Sequence, residues 1–456
     1  MRLPAGSRLR RRSLAFFDPA AAFLILALGL FGGLAGAAPA RAVDYTVTTT
    51  AGSGPGSLRA ALAAANSSPG PDTITFAVTG TIALTGPLPI VEDSVTLQGP
   101  GAGALAINGA NLYRILDISP TITVTVADLS LVGARAPSGQ PGGAIRSRGD
   151  LQLLRVDLHG NQGNAGGSAV YGAAGSLHIA ASVVQSNTAN AVYAEDTPVA
   201  ITGTVLAYNA GSALTVDSAP ALHITATQII SNGGRGIEVA YSDTDLSQVL
   251  VSGNGSQGAA ILGATLSVRA SVLAGNHGEE GGGIYVLEGA AILTDTLLQG
   301  NAAKSRGGAI YLSPGSRGLT MTNSTIRDST APYGAGIYAG GGDLQIRSSA
   351  LLANVGDHGP AIYLDSPQTA VVTNSCIANN WVTSAAGVAV EFPISSTATL
   401  SAPNNWWGAA DGPSGAGPGT GDSVDAHVLY APYQATPPDG CPLRSAAVQY
   451  LPSVRK

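Results

Sequence analysis

Acid–base groups are scarce in this chain and gather in one stretch. Charged residues make up 11% of 456 positions, yet successive turns carry His277, Glu279 and Glu280, then Lys304 and Arg306, then Asp328, then Asp357 and His358. A carboxylate beside a guanidinium can close a salt bridge at a solvated edge. It can also do chemistry: Glu279 or Glu280 as a base, with Arg306 neutralising the carboxylate of a uronate sugar. These three residues form the candidate catalytic set. Other outward acids are isolated, with Asp245 on one repeat and Asp295 two repeats on. Neither the clustered carboxylates of a calcium-dependent lyase nor the flanking pair of an inverting glycosidase can be read. No metal-ligand set and no cofactor motif is present, so calcium enters only under a lyase reading.

A second set is aromatic. Aligning the strand after each glycine patch gives the column Arg146, Tyr171, Tyr193, Thr215, Glu238, Leu262, Tyr285, Tyr311, Tyr338, Tyr363. Its neighbours Ile284, Val286, Ile310 and Leu312 are apolar, so strand alternation turns them inward and the tyrosines outward. Rings at about 5 Å intervals would offer faces and hydroxyls to an extended glycan. The alternative is that tyrosine favours strands and stacks on itself. A neighbouring outward column runs Gln152, His178, Ala200, His223, Asp245, Ser267, Ile292, Thr320, Gln345, Val371. Its two histidines lie two repeats apart, too far to share one metal.

The elements that position these columns follow from a repeat. Asparagine returns every 22 to 26 residues as Asn161, Asn187, Asn209, Asn232, Asn254, Asn276 and Asn301, then as Asn354, Asn380 and Asn405, with Ser329 in place of one member. Each follows an apolar residue three positions earlier and precedes a glycine-rich patch. Such a period marks stacked units that cannot bury an apolar face alone, and alternation as in Leu222 and Ile224 marks them as strands. The asparagines read as a structural ladder, placed at turns because asparagine tolerates the left-handed backbone and its amide can bond the next amide. Ser182, Thr204, Thr227, Ser271, Thr296, Ser324, Ser349 and Ser375 form a parallel hydroxyl ladder.

The ends read differently. Five of the first twelve residues are arginine, an apolar run follows to Ala38, and Ala40-Arg41-Ala42 is an A-x-A site, so residues 1–42 are a secretory signal peptide. General secretion fits better than the twin-arginine route. No other apolar run could span a membrane. Without that leader the chain carries 16 basic and 27 acidic residues, a net charge of −11, which excludes nucleic acid as an expected partner. Cys376 and Cys441, in an exported chain, are expected to pair. Ser57 is placed to cap a helix starting at Leu58, covering the exposed end of the stack.

The segment Gly56-Ser57-Leu58-Arg59-Ala60-Ala61 resembles the "CSLREA"-type segment of bacterial exported right-handed parallel β-helix proteins, with Gly56 and Ala60 where that motif has cysteine and glutamate. The runs Gly142–Ile145, Gly281–Tyr285, Gly307–Tyr311 and Gly334–Tyr338 are similar to repeats of polymorphic outer-membrane proteins, and Asn404–Gly408 with Asp411–Pro413 to a segment closing such helices. The resemblance implies the pectate-lyase-like superfamily and a bacterial envelope or extracellular location. A terminal membrane barrel, as in autotransporters, is not expected.

The expectation is therefore an all-β, single-stranded right-handed parallel β-helix (a solenoid) with a short N-terminal capping helix. Residues 43–80 form the cap and first coil, 81–408 the β-helix, and 409–456 an irregular tail. The function expected is a monomeric, exported, non-enzymatic protein binding glycan, envelope or a protein partner through its tyrosine face. The alternatives are a polysaccharide lyase or glycoside hydrolase, by fold analogy, and a purely structural spacer.

Overall fold

The computed structural model describes residues 41–163 and 166–438. Strands of three to five residues alternate inward and outward, as in Leu177–Ala180, where Leu177 and Ile179 are buried and His178 points out. Each pairs in parallel with the equivalent strand of the next coil, giving three long sheets of 16, 13 and 14 strands. The chain visits the three sheets in turn. The result is a right-handed parallel β-helix, the hand expected of parallel crossovers.

Inward residues stack in register, for example Leu151 on Leu177, Val199 and Leu222. A buried aliphatic side chain contributes about 1.5–3 kcal/mol, and each coil adds several to one continuous core. The helix Leu58–Ala65 covers the first coil with Leu58, Ala61, Leu62 and Ala65 buried. The side chain of Ser57 accepts from the Ala60 N–H at its N-terminus.

Two polar ladders run inside the corners. In the first, Asn209 donates its backbone N–H (3.1 Å) and its amide (2.9 Å) to Oδ1 of Asn232, and the same pattern joins Asn187 to Asn209, Asn232 to Asn254 and Asn254 to Asn276. The second nitrogen–hydrogen of each amide reaches a carbonyl of the previous coil, as Asn209 Nδ2 to Val184 O. Ser329 keeps the backbone bond to Asn354, but its hydroxyl turns back to the Arg327 carbonyl. These asparagines do not occupy the left-handed region; the residue before each one does, as Ser186, Tyr208, Ser231 and Gly253. The asparagine is there for its amide, and the preceding residue makes the corner.

Asn405 belongs to the other ladder. Its Oδ1 accepts the Ser375 N–H at 2.9 Å, closing the hydroxyl series in which Ser324 and Ser349 donate their N–H groups to the next hydroxyl. The asparagine series ends instead on Asp422, whose Oδ2 accepts from Asn380 N and Nδ2 at 3.0 and 2.7 Å.

The tail expected to be irregular from residue 409 continues the solenoid. Gly421–Val424 joins the third sheet beside Val390–Glu391, and Val428–Leu429 joins the first beside Leu400–Ser401. Trp407 is fully buried at this end. Cys376 is buried beside Ile377, whereas Cys441 lies outside the described residues, as does the expected leader except for its last two positions. No helix among the described residues is long and apolar enough to cross a membrane.

Candidate functional site

Two outward columns, read separately in the sequence, meet on consecutive coils. One lies in the third sheet, where Tyr285, Tyr311, Tyr338, Tyr363 and Glu391 stand in register. The other lies in the corner leading into that sheet, where Glu280, Arg306, Tyr333 and His358 pair in turn. The glycine patches hold the two side by side. Gly307 adopts φ +64°, and a Cβ on it would lie 2.4 Å from the Ile310 carbonyl oxygen, so a side chain there would collide with the strand it feeds.

Register changes one rung of the tyrosine column. Glu238 pairs with Ala260, which pairs with Tyr285, and Leu262 instead pairs with Leu287. The ring faces are also not free. Tyr285, Tyr311, Tyr338 and Tyr363 stack on each other with centroids 5.2–5.4 Å apart, as Tyr171 and Tyr193 do at 5.9 Å. Tyr311 and Tyr338 are only 5% and 4% exposed. The expected flat stripe of open ring faces is therefore corrected: parallel pairing at strand spacing uses each face on its neighbour.

Cross-column contacts tie the patch together. The Arg306 guanidinium sits 5.2 Å from the centre of the Tyr338 ring, a cation–π arrangement, and lies 3.9 Å from Glu280. Tyr333 stacks on the His358 ring at 5.0 Å and meets Tyr363 edge-on at 5.4 Å. His358 Nδ1 is 2.7 Å from Glu391 Oε1, while Glu391 Oε2 accepts the N–H groups of Gly359 and Val388 at 3.0 and 3.1 Å. That carboxylate holds the imidazole through Nδ1, and no hydrogen bond engages Nε2 among the described residues. Tyr338 donates its hydroxyl to Asp365 at 2.9 Å.

Burial raises the phenol pKa of Tyr285, Tyr311, Tyr338 and Tyr363, and neighbouring carboxylates reinforce it. These side chains are hydroxyl donors and not phenolate bases at neutral pH. Among the candidate catalytic residues, Glu279 pairs with Lys304 at 2.9 Å on the fully solvated side. It stands apart from the tyrosines, unlike Glu280 and Arg306. Among the described residues no cluster of three metal-ligating side chains exists. In the first sheet Asp245 follows His223 in register and pairs with it at 3.1 Å.

Beside the patch runs an open groove of about 340 Å³, floored by Ala303, Ala331, Val355 and Gly356 and edged by Asp357 and Thr383. Trp381, 67% exposed, pairs in register with Val355. Tyr333, Trp381 and Glu391 were missed in the sequence. The signal was there as spacing, since Arg306, Tyr333 and His358 recur at coil length, but the corner residues do not alternate.

Among curated proteins, none matches this sequence. In structure the chain is similar to the A-module of the mannuronan C-5 epimerase AlgE6 of Azotobacter vinelandii, with 15% identity over 77% of this chain and 100% of that one, and a TM-score of 0.43. It is also similar to a mannuronic acid-specific polysaccharide family 6 lyase from human gut microbiota (12% identity, 80% of each chain, TM-score 0.36). A third similar structure is PfbA, a surface adhesin of Streptococcus pneumoniae (9% identity, 76% of this chain and 93% of that one, TM-score 0.34). Residues 257–405, which span most of this face, match the family model of the right handed beta helix region.

Proposed function

We propose that this chain is an exported β-helix protein that binds a neutral polysaccharide across the face formed by Arg306, Tyr333, His358 and Tyr363 and the adjoining groove at Trp381. The observation that carries this is the meeting of the two columns: an imidazole, a guanidinium and tyrosine rings stand together next to a groove, and the exposed Trp381 lies on the strand paired with Val355 of that groove. Sugars offer apolar C–H faces to an exposed aromatic ring and hydroxyls to charged hydrogen-bonding partners. Glu280, Asp357, Asp365 and Glu391 outnumber the nearby cations Lys304 and Arg306, so a neutral polymer fits better than an acidic one.

A second reading is enzymatic, and one observation favours it: the His358–Glu391 pair, with Nε2 unbonded, is built as a proton acceptor is built. Glu280 and Arg306 would then face the same substrate, and calcium belongs only to a lyase version.

Size-exclusion chromatography with neutral and acidic polysaccharides, with and without calcium, tests both readings. Co-elution with a neutral polymer of unchanged size supports binding, and Trp381→Ala should abolish it. A fall in polymer size that His358→Gln prevents supports the enzyme. Absence of both would leave neither standing.

A further inference from the structure

At the other end of the third sheet, three guanidinium groups share one carboxylate. Asp117 Oδ2 accepts from Arg114 Nη1 at 2.9 Å and Arg146 Nη2 at 2.6 Å, and Oδ1 accepts from Arg146 Nε at 3.0 Å. Arg148 approaches the same Oδ1 only to 3.9 Å. Arg114 is otherwise spent on the carbonyls of Gly142 and Pro141 and on Gln140, and Arg146 also reaches Gln140. Nothing comparable serves Arg148. Its Nε is buried without a hydrogen-bond partner, and among the described residues Asp117 is the one carboxylate within ion-pair reach.

Three positive charges against one negative leave the cluster with two in excess, in a chain whose formal net charge is −6. A guanidinium with unmet donors beside a second, already oriented guanidinium is an arrangement suited to a planar or tetrahedral oxyanion. The side chains are accessible in graded fashion, 7% for Arg114, 23% for Arg146 and 42% for Arg148, so the open edge is that of Arg148. Arg114 also feels the surplus: burial first, then the charges of Arg146 and Arg148, lower its pKa against the pull of Asp117.

We infer that Arg148, with Arg146 behind it, forms an oxyanion-binding site that takes a carboxylate or sulfate group. The site does not rest on the Arg306 face, because Arg146 stands six rungs from Tyr285 in the same column, on the order of 30 Å at strand spacing. Arg114 and Arg146 hold the fold around Asp117, and Arg148 supplies the free donors. The oxyanion could be a small free ion or a uronate or sulfate ester carried on a polymer.

Isothermal titration at low ionic strength tests this with sodium sulfate and sodium glucuronate, using sodium chloride as reference. Saturable binding of one oxyanion per chain is expected, weakening with added salt. Arg148→Gln should weaken it roughly tenfold or more, whereas Arg155→Gln, which removes an exposed arginine paired with Asp128, should leave it unchanged. Circular dichroism of both variants separates lost binding from lost folding. Competition by polygalacturonate against sulfate would mark a polymer-borne group, and sulfate binding without such competition a free anion; either supports the site. No saturable binding by the folded wild type, or equal binding by Arg148→Gln, would overturn it.

Discussion

Asp422 stands where the asparagine ladder would need one more amide. Its carboxyl is lifted from 3.8 to about 6, chiefly by burial, with the Asn380 hydrogen bonds pulling the other way. A carboxyl that ionises less readily folded than unfolded contributes its full stability below about pH 3.8 and loses it as pH rises through about 6. Asp422→Asn keeps an oxygen for Asn380 without the charge. Thermal melts should show the variant more stable than wild type at pH 8, by about 2–3 kcal/mol, with the gap closing toward pH 4; a gap independent of pH would count against this. Mid-ladder, Asn232 accepts twice from Asn209 and donates to Leu206, Ile230 and Asn254. Asn232→Ala strands those buried groups and should cost on the order of 3 kcal/mol or more in denaturant unfolding. The period made the amide ladder readable. It could not show Asp422, which comes 42 residues after Asn380 and breaks the spacing, nor that Asn405 serves the hydroxyl series.

Strands and corners were readable in unequal measure. Leu222 and Ile224 show the inward alternation directly, and Ser57 announced the helix from Leu58. The short strand His277–Glu280 carries HGEE, with no alternating apolar residue, and pairs with Ala302–Arg306 only because successive coils place their corners together. Gly421–Val424 likewise lacks a strand pattern and is recruited by Val390–Glu391 of the coil before it, and Pro413–Gly415 then pairs on its outer edge. The glycine corners are where a single methyl group should matter. Gly307→Ala imposes a side chain at φ +64° and against the Ile310 carbonyl, so a loss of about 1–3 kcal/mol is expected. The same change at Gly300, with φ +60° but open space around it, should cost less. Equal losses in urea titrations would show that the collision is absent and only the backbone conformation counts.

Over the whole molecule, the stacking of coils converts positions far apart in sequence into neighbours about 4.8 Å apart. Backbone pairing joins each coil to the next, so stability builds along one axis, and a surface is composed by whichever side chains fall on the same rung. That is why the tyrosine column could be found by alignment while its meeting with Arg306, Tyr333 and His358 could not: it depends on how each corner turns, not on alternation. The central claim is that this composite face binds a polysaccharide, and the most direct test is the dissociation constant for a retained neutral polymer. Compared with wild type, Tyr333→Ala removes the ring stacked on His358 and set against Tyr363, whereas Tyr241→Ala removes a tyrosine that is 61% exposed elsewhere on the solenoid. Affinity should fall about tenfold or more for Tyr333→Ala and stay unchanged for Tyr241→Ala. Equal affinity in all three proteins, or an equal loss in both variants, would contradict the account.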